Sequence, residues 1–125
     1  MAKEIISTEK APAAIGPYVQ AVKSGGFLFI SGQLGFDMAD GSMPEAVEDQ
    51  AANSLKNLET IMKEAGTDKS RVVKTTIFLT DMGDFGKVNE VYGAFFEGIY
   101  PARSCVAVRE LPKGARVEIE CMAEV

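Results

Sequence analysis

A chain of 125 residues with 13 Lys and Arg against 18 Asp and Glu carries a net charge of −5, the wrong sign for a protein that grips nucleic-acid phosphates. Its hydrophobic and charged fractions, 46% and 25%, are ordinary for a single folded domain over residues 1–125, and a chain of this length needs no disulfide or metal to build a core. It has no histidine and only two cysteines, Cys105 and Cys121, which excludes Ser-His-Asp and Cys-His catalysis, histidine-ligated metals and a cysteine-only zinc site.

The first ten residues lack the apolar core of a signal peptide. The longest run of large apolar residues, 27–30, is far short of the ~18 of a membrane span. These features predict a cytoplasmic protein with reduced thiols and no membrane partner. Residues 11–17, with two prolines and Gly16, predict a loop, and its alanines suit packing. Residues 18–24 and 27–32 flank Gly25-Gly26 as a β-hairpin. A loop follows over 34–43. Pro44, Glu45, Glu48 and Asp49 suit a helix start. Val47, Ala51, Leu55, Leu58, Met62 and Ala65 then form one amphipathic stripe, which Gly66 stops.

Residues 72–80, β-branched and aromatic, predict a strand. Asp84 suits the cap of a second helix, with a stripe of Val88, Val91, Tyr92, Phe95, Phe96 and Ile99 that Pro101 ends. Residues 103–109 and 116–125 are two more strands. The order β-β-α-β-α-β-β predicts an α+β fold with both helices on one face of a mixed sheet.

The other face must meet water or another chain. If Val106, Val108, Val117 and Ile119 face the helices, alternation puts Arg103, Cys105, Glu118 and Glu120 together on the opposite face. Cross-strand ion pairs on a solvated surface are one use of such a group, worth about 0–1 kcal/mol each. An anion pocket is the other, because the arginine fork holds a carboxylate through two parallel hydrogen bonds.

The segment Pro101-Ala102-Arg103-Ser104-Cys105-Val106, followed by Leu111-Pro112-Lys113 and Val117-Glu118-Ile119-Glu120, resembles the C-terminal signature of the RidA family, also called YjgF. Ala11-Pro12-Ala13-Ala14-Ile15-Gly16-Pro17-Tyr18, Ser31-Gly32-Gln33, Val73-Lys74-Thr75-Thr76 and Val88-Asn89 resemble its other motifs in order. The resemblance covers nearly the whole chain. It implies a chorismate-mutase-like fold, a homotrimer whose sheets form a central barrel, and ligand sites in clefts between subunits.

The activity it implies is that of a 2-iminobutanoate/2-iminopropanoate deaminase. Such an enzyme hydrolyses 2-aminoacrylate, through its imine tautomer, and 2-iminobutanoate to 2-keto acids and ammonia. The alternative from the same family is a regulatory protein that binds a small carboxylate without turnover. Neither needs a metal or other cofactor, since an imine carbon is already electrophilic.

By the resemblance, Arg103 holds the substrate carboxylate and Glu118 orients the attacking water. Glu120 fits by alternation equally well, and Glu118 is chosen on the family motif. Cys105 contributes backbone groups rather than a nucleophile, having no histidine to make its thiolate. Tyr18 lines the cleft. Ser31 and Asn89 complete the substrate-binding set. Cys121 is packing. The stretch between Phe96 and Pro101 is shorter than in some relatives, which alters the rim of the cleft near Arg103.

Overall fold

Gly25 and Gly26 take φ of +62° and +86°, the two left-handed residues that a tight hairpin turn demands. They join β2 (Ala21–Ser24) to β3 (Phe27–Leu34), with Ser24 opposite Phe27. The computed structural model describes residues 2–125. A short strand that the sequence reading did not predict, β1 (Glu4–Ile6), pairs with β2. Its three residues are too few for alternation to be read.

Helix α1 (Val47–Glu64) follows, then β4 (Val72–Leu79), α2 (Phe85–Phe96), β5 (Ala102–Ala107) and β6 (Val117–Glu124). The six strands form one sheet in the order β1-β2-β3-β6-β4-β5. β6 runs antiparallel between β3 and β4, and β5 runs parallel to β4 at the edge. Both helices pack on one face. Leu28, Ile30, Ile77, Leu79, Val117 and Ile119 meet Ala51, Leu55, Leu58 and Met62 of α1 and Val88, Tyr92 and Phe96 of α2 in one core. The predicted α1 stripe is buried throughout.

The second helix stops earlier than its apolar pattern suggests. Glu97 and Gly98 take φ of +51° and +88°, so Ile99 falls beyond the helix and is exposed. Lys69 holds this corner through an ion pair with Glu97 (2.9 Å) and by lying over the Phe95 ring. Asp84 precedes α2 but makes no cap with its side chain. Both its carboxylate oxygens, at 3.0 Å, accept from Arg116 instead.

A polar row on α1 fixes the end of β3. Ser54 donates to the Gln33 carbonyl, Asn53 to that of Gly35, and Asn57 to those of Leu34 and Phe36. These bonds draw the chain so close that a Cβ on Gly35 would stand 2.4 Å from the Gln50 backbone. Backbone on both sides cannot yield. Gly35→Ala is therefore expected to destabilise the fold by about 3 kcal/mol, read as a lower urea midpoint at an unchanged slope.

Candidate active site

Thr75 and Arg103 are register partners on β4 and β5, and both point to the helix side. The Arg103 guanidinium donates from Nη1 to Asn89 Oδ1 at 2.6 Å. Its Cζ lies 4.9 Å from the Tyr92 ring centre and 5.4 Å from that of Phe85. Phe85, Asn89 and Tyr92 are spaced four and three apart, so one face of α2 supplies all three contacts. Among the described residues the ion pairs are Lys69–Glu97 and Arg116–Asp84, so no carboxylate takes Arg103. Most of its five N–H donors stay free for an incoming anion. Asn89, Tyr92, Gly93, Tyr100, Pro101 and Arg103 line a pocket of about 510 Å³.

The edge position of β5 adds backbone donors. Val108 N–H bonds the Leu79 carbonyl at 2.7 Å. Alternate residues of a parallel pair face the neighbouring strand. Parity therefore turns Ser104 and Val106 toward β4 and leaves the backbone groups of Arg103 and Cys105 at the open edge. The Cys105 thiol packs against the core, and burial pushes it up despite the cation of Arg103 nearby. Burial, with help from Glu120, pushes Cys121 up to about 12. Neither is a thiolate at neutral pH. Cys105→Ala is expected to keep kcat/KM within about threefold, with slow labelling of the wild-type thiol by iodoacetamide.

A second group lies on the opposite face. Glu118 stands between Leu34 of β3 and Phe78 of β4. Its carboxyl leans over Gly32, where a Cβ would sit 2.7 Å from Glu118 Cδ. Ser31 and Gly32 form a bulge in the β3–β6 register, a distortion common beside active sites. Ser31 spends its hydroxyl on the Val19 carbonyl (2.7 Å) and its N–H on that of Gln20 (2.9 Å), tying the bulge to the loop that carries Tyr18. The buried Gln20 side chain pins that loop through Thr8, Ala11 and Pro12, and Tyr18 is 52% exposed at its end. Burial raises the Glu118 carboxyl above the usual range, and Glu120 raises it further.

The expected shared face is thus corrected. Arg103 and Cys105 do not stand with Glu118 and Glu120. They lie on the helix side, and Val106, expected inside, is 43% exposed on the other. The alternation of β5 was ambiguous because both its faces carry apolar residues. The open face is itself apolar, with Phe29, Met122 and Val106 exposed on it. Arg103 goes to the helix side because the Tyr92 and Phe85 rings receive it there. The family resemblance put Arg103 and Asn89 in one substrate-binding set, while alternation placed Arg103 on the face away from the helix that carries Asn89. Phe85, Tyr92 and Tyr100 were not among the expected site residues. The first two were legible at i−4 and i+3 from Asn89, but Tyr92 also fits the core stripe.

No group of three or more His, Cys, Asp or Glu among the described residues is arranged to hold a metal ion. No helix among them is long and apolar enough to cross a membrane.

Residues 8–125 match the family model described as Endoribonuclease L-PSP. A RutC family protein, y4sK of Sinorhizobium fredii, is 55% identical, with 95% of each chain covered. The 2-iminobutanoate/2-iminopropanoate deaminase of Mus musculus is 52% identical over 97% of this chain and 90% of its own. The crystal structure of Escherichia coli TdcF with bound serine superposes with a TM-score of 0.93 at 46% identity, covering 98% of both chains.

Proposed function

The chain belongs to the Endoribonuclease L-PSP family, the RidA/YjgF group, and from that membership we propose that it hydrolyses small enamine and imine acids to 2-keto acids and ammonia. One observation carries the reading: Arg103, free of any carboxylate among the described residues, is held by Asn89 and two aromatic rings at the mouth of a pocket. That is a socket for a small carboxylate. The serine in TdcF, itself a small carboxylate, supports the same ligand class. The acidic charge and the absence of histidine weigh against RNA cleavage.

Arg103 binds the substrate carboxylate through its fork. The open-edge backbone of Cys105 meets the imine nitrogen. Glu118 takes a proton from water as the oxygen attacks the imine carbon. Glu118 returns that proton to the former imine nitrogen, giving a neutral carbinolamine with hydroxyl and amine on one carbon. Transfer of the hydroxyl proton to the amine through Glu118 then breaks the C–N bond, so ammonia leaves and the oxygen becomes the keto oxygen. A carboxyl raised by burial is a suitable base near neutrality. Tyr18 and Ser31 frame the Glu118 side of the cleft, and Asn89 frames the Arg103 side.

Arg103 and Glu118 lie on opposite faces of one sheet, so a site using both draws them from two copies. The apolar open face suits burial against neighbouring sheets. We take the functional unit to be a homotrimer with a central barrel of sheets and three composite clefts. Each chain contributes one domain, in a cytoplasmic setting where Cys105 and Cys121, free in this structure, stay thiols.

The test is release of ammonia and keto acid from 2-iminobutanoate and 2-iminopropanoate generated in situ. Acceleration by the purified oligomer is expected. No acceleration, with retained binding of 2-oxobutanoate, contradicts the enzyme and leaves a carboxylate-binding regulator.

A further inference from the structure

Tyr92 is 4% exposed, and its hydroxyl lies 2.6 Å from the Thr75 hydroxyl, which is fully buried. Each hydroxyl is the partner that burial obliges the other to find. The bond is unusual in what it joins. Thr75 is the register neighbour of Arg103 on the adjacent strand, and the Tyr92 ring lies under the Arg103 guanidinium. Three residues on two strands and one helix thus close a triangle. Phe96 packs at 4.8 Å between ring centres on Tyr92, so the ring is held from behind as well. Among the described residues, the guanidinium is held otherwise by the bond to Asn89 and the more distant Phe85 ring.

We propose that Tyr92 is the positioning residue of the anion site: its ring is the platform for the Arg103 guanidinium, and its bond to Thr75 fixes the height and tilt of that platform. The proposal rests on Arg103 being the carboxylate anchor, as argued above. A guanidinium stacked on a ring keeps its edge N–H groups in plane and outward, the geometry a carboxylate needs for two parallel bonds. The substrate carboxylate keeps its charge throughout hydrolysis. A looser platform therefore weakens substrate and transition state alike, raising KM and sparing kcat.

The experiment replaces Tyr92 with phenylalanine and with pentafluorophenylalanine in the intact oligomer. Tyr92→Phe keeps the ring and loses the Thr75 bond. The fluorinated ring keeps nearly the same volume but reverses the charge distribution that attracts a cation. The expected result is a KM for 2-iminobutanoate about threefold above wild type for Tyr92→Phe, from loss of the Thr75 bond, and about tenfold above wild type for the fluorinated ring, with kcat within about twofold in both. A KM unchanged in Tyr92→Phe overturns the role of the Thr75 bond. Equal KM values for the two rings overturn the platform. A purely structural Tyr92 lowers the unfolding temperature without separating the two rings in KM. If wild type shows no turnover, the deaminase reading fails by itself. The same ring series is then read on the Kd of 2-oxobutanoate, where a ring-dependent Kd supports the platform and a ring-independent one overturns it.

Discussion

Replacing Arg103 with alanine is expected to lower kcat/KM for 2-iminobutanoate by about a thousandfold, or ~4 kcal/mol, the range for removing one partner of a desolvated, hydrogen-bonded charge pair. Most of the loss falls on KM, for the reason given for Tyr92. Arg103→Lys keeps the charge but lacks the planar fork. It also exchanges a delocalised cation, well suited to the Tyr92 and Phe85 rings, for a compact and strongly hydrated one. It is expected to retain only part of the activity. Neither variant should lose the fold, because Arg103 makes one side-chain hydrogen bond and no ion pair among the described residues. Initial rates beside far-UV circular dichroism and sedimentation test both statements. Full activity in Arg103→Ala removes the anchor.

Glu118→Gln is expected to cut kcat by about a hundred- to a thousandfold with little change in KM, as for loss of a general base. The pH dependence identifies the group. Burial, and then Glu120, hold the Glu118 carboxyl above its ordinary value of 4.5. The active form is the carboxylate, so wild-type kcat/KM rises with pH through a midpoint above 4.5 and levels beyond it. Glu120→Gln removes the second cause and moves that midpoint down. Stability has the opposite sign. A carboxyl raised on folding favours the folded state below its unfolded value, and that benefit is lost as pH rises through the folded value. Glu118→Gln should therefore be more stable than wild type near neutrality and no more stable in acid. An acid limb that stays in place in Glu120→Gln assigns it to another group.

The fold was legible where periodicity had a single meaning. The α1 stripe repeats at helical spacing with polar residues between, and the glycine pair could only be a tight turn. It was illegible where both faces of an element are apolar. On β5 the sets Val106/Val108 and Cys105/Ala107 are equally credible as core, and hydrophobicity alone cannot choose when the open face is apolar as well. The choice is made by α2, whose aromatic side chains receive Arg103 and whose small Gly93 leaves the pocket open beside it. The polar row Gln50, Asn53, Ser54 and Asn57 was hidden for the converse reason. It reads as a solvated face, yet it bonds the chain around the bulge of β3, the Arg116 N–H and the Pro44 carbonyl. Motif resemblance, not periodicity, singled out Arg103 and Glu118. Only the register shows that one sheet separates them.

That separation sets the decisive measurement. Arg103→Ala and Glu118→Gln chains, each inactive alone, are unfolded together in equal amounts, refolded and assayed for keto-acid release from 2-iminobutanoate. Composite clefts that draw arginine from one copy and glutamate from the next restore both groups in about a quarter of the sites of a randomly mixed ring, and activity returns to that level. Mixed oligomers, verified by mass, that stay as inactive as their parents contradict a site shared between chains.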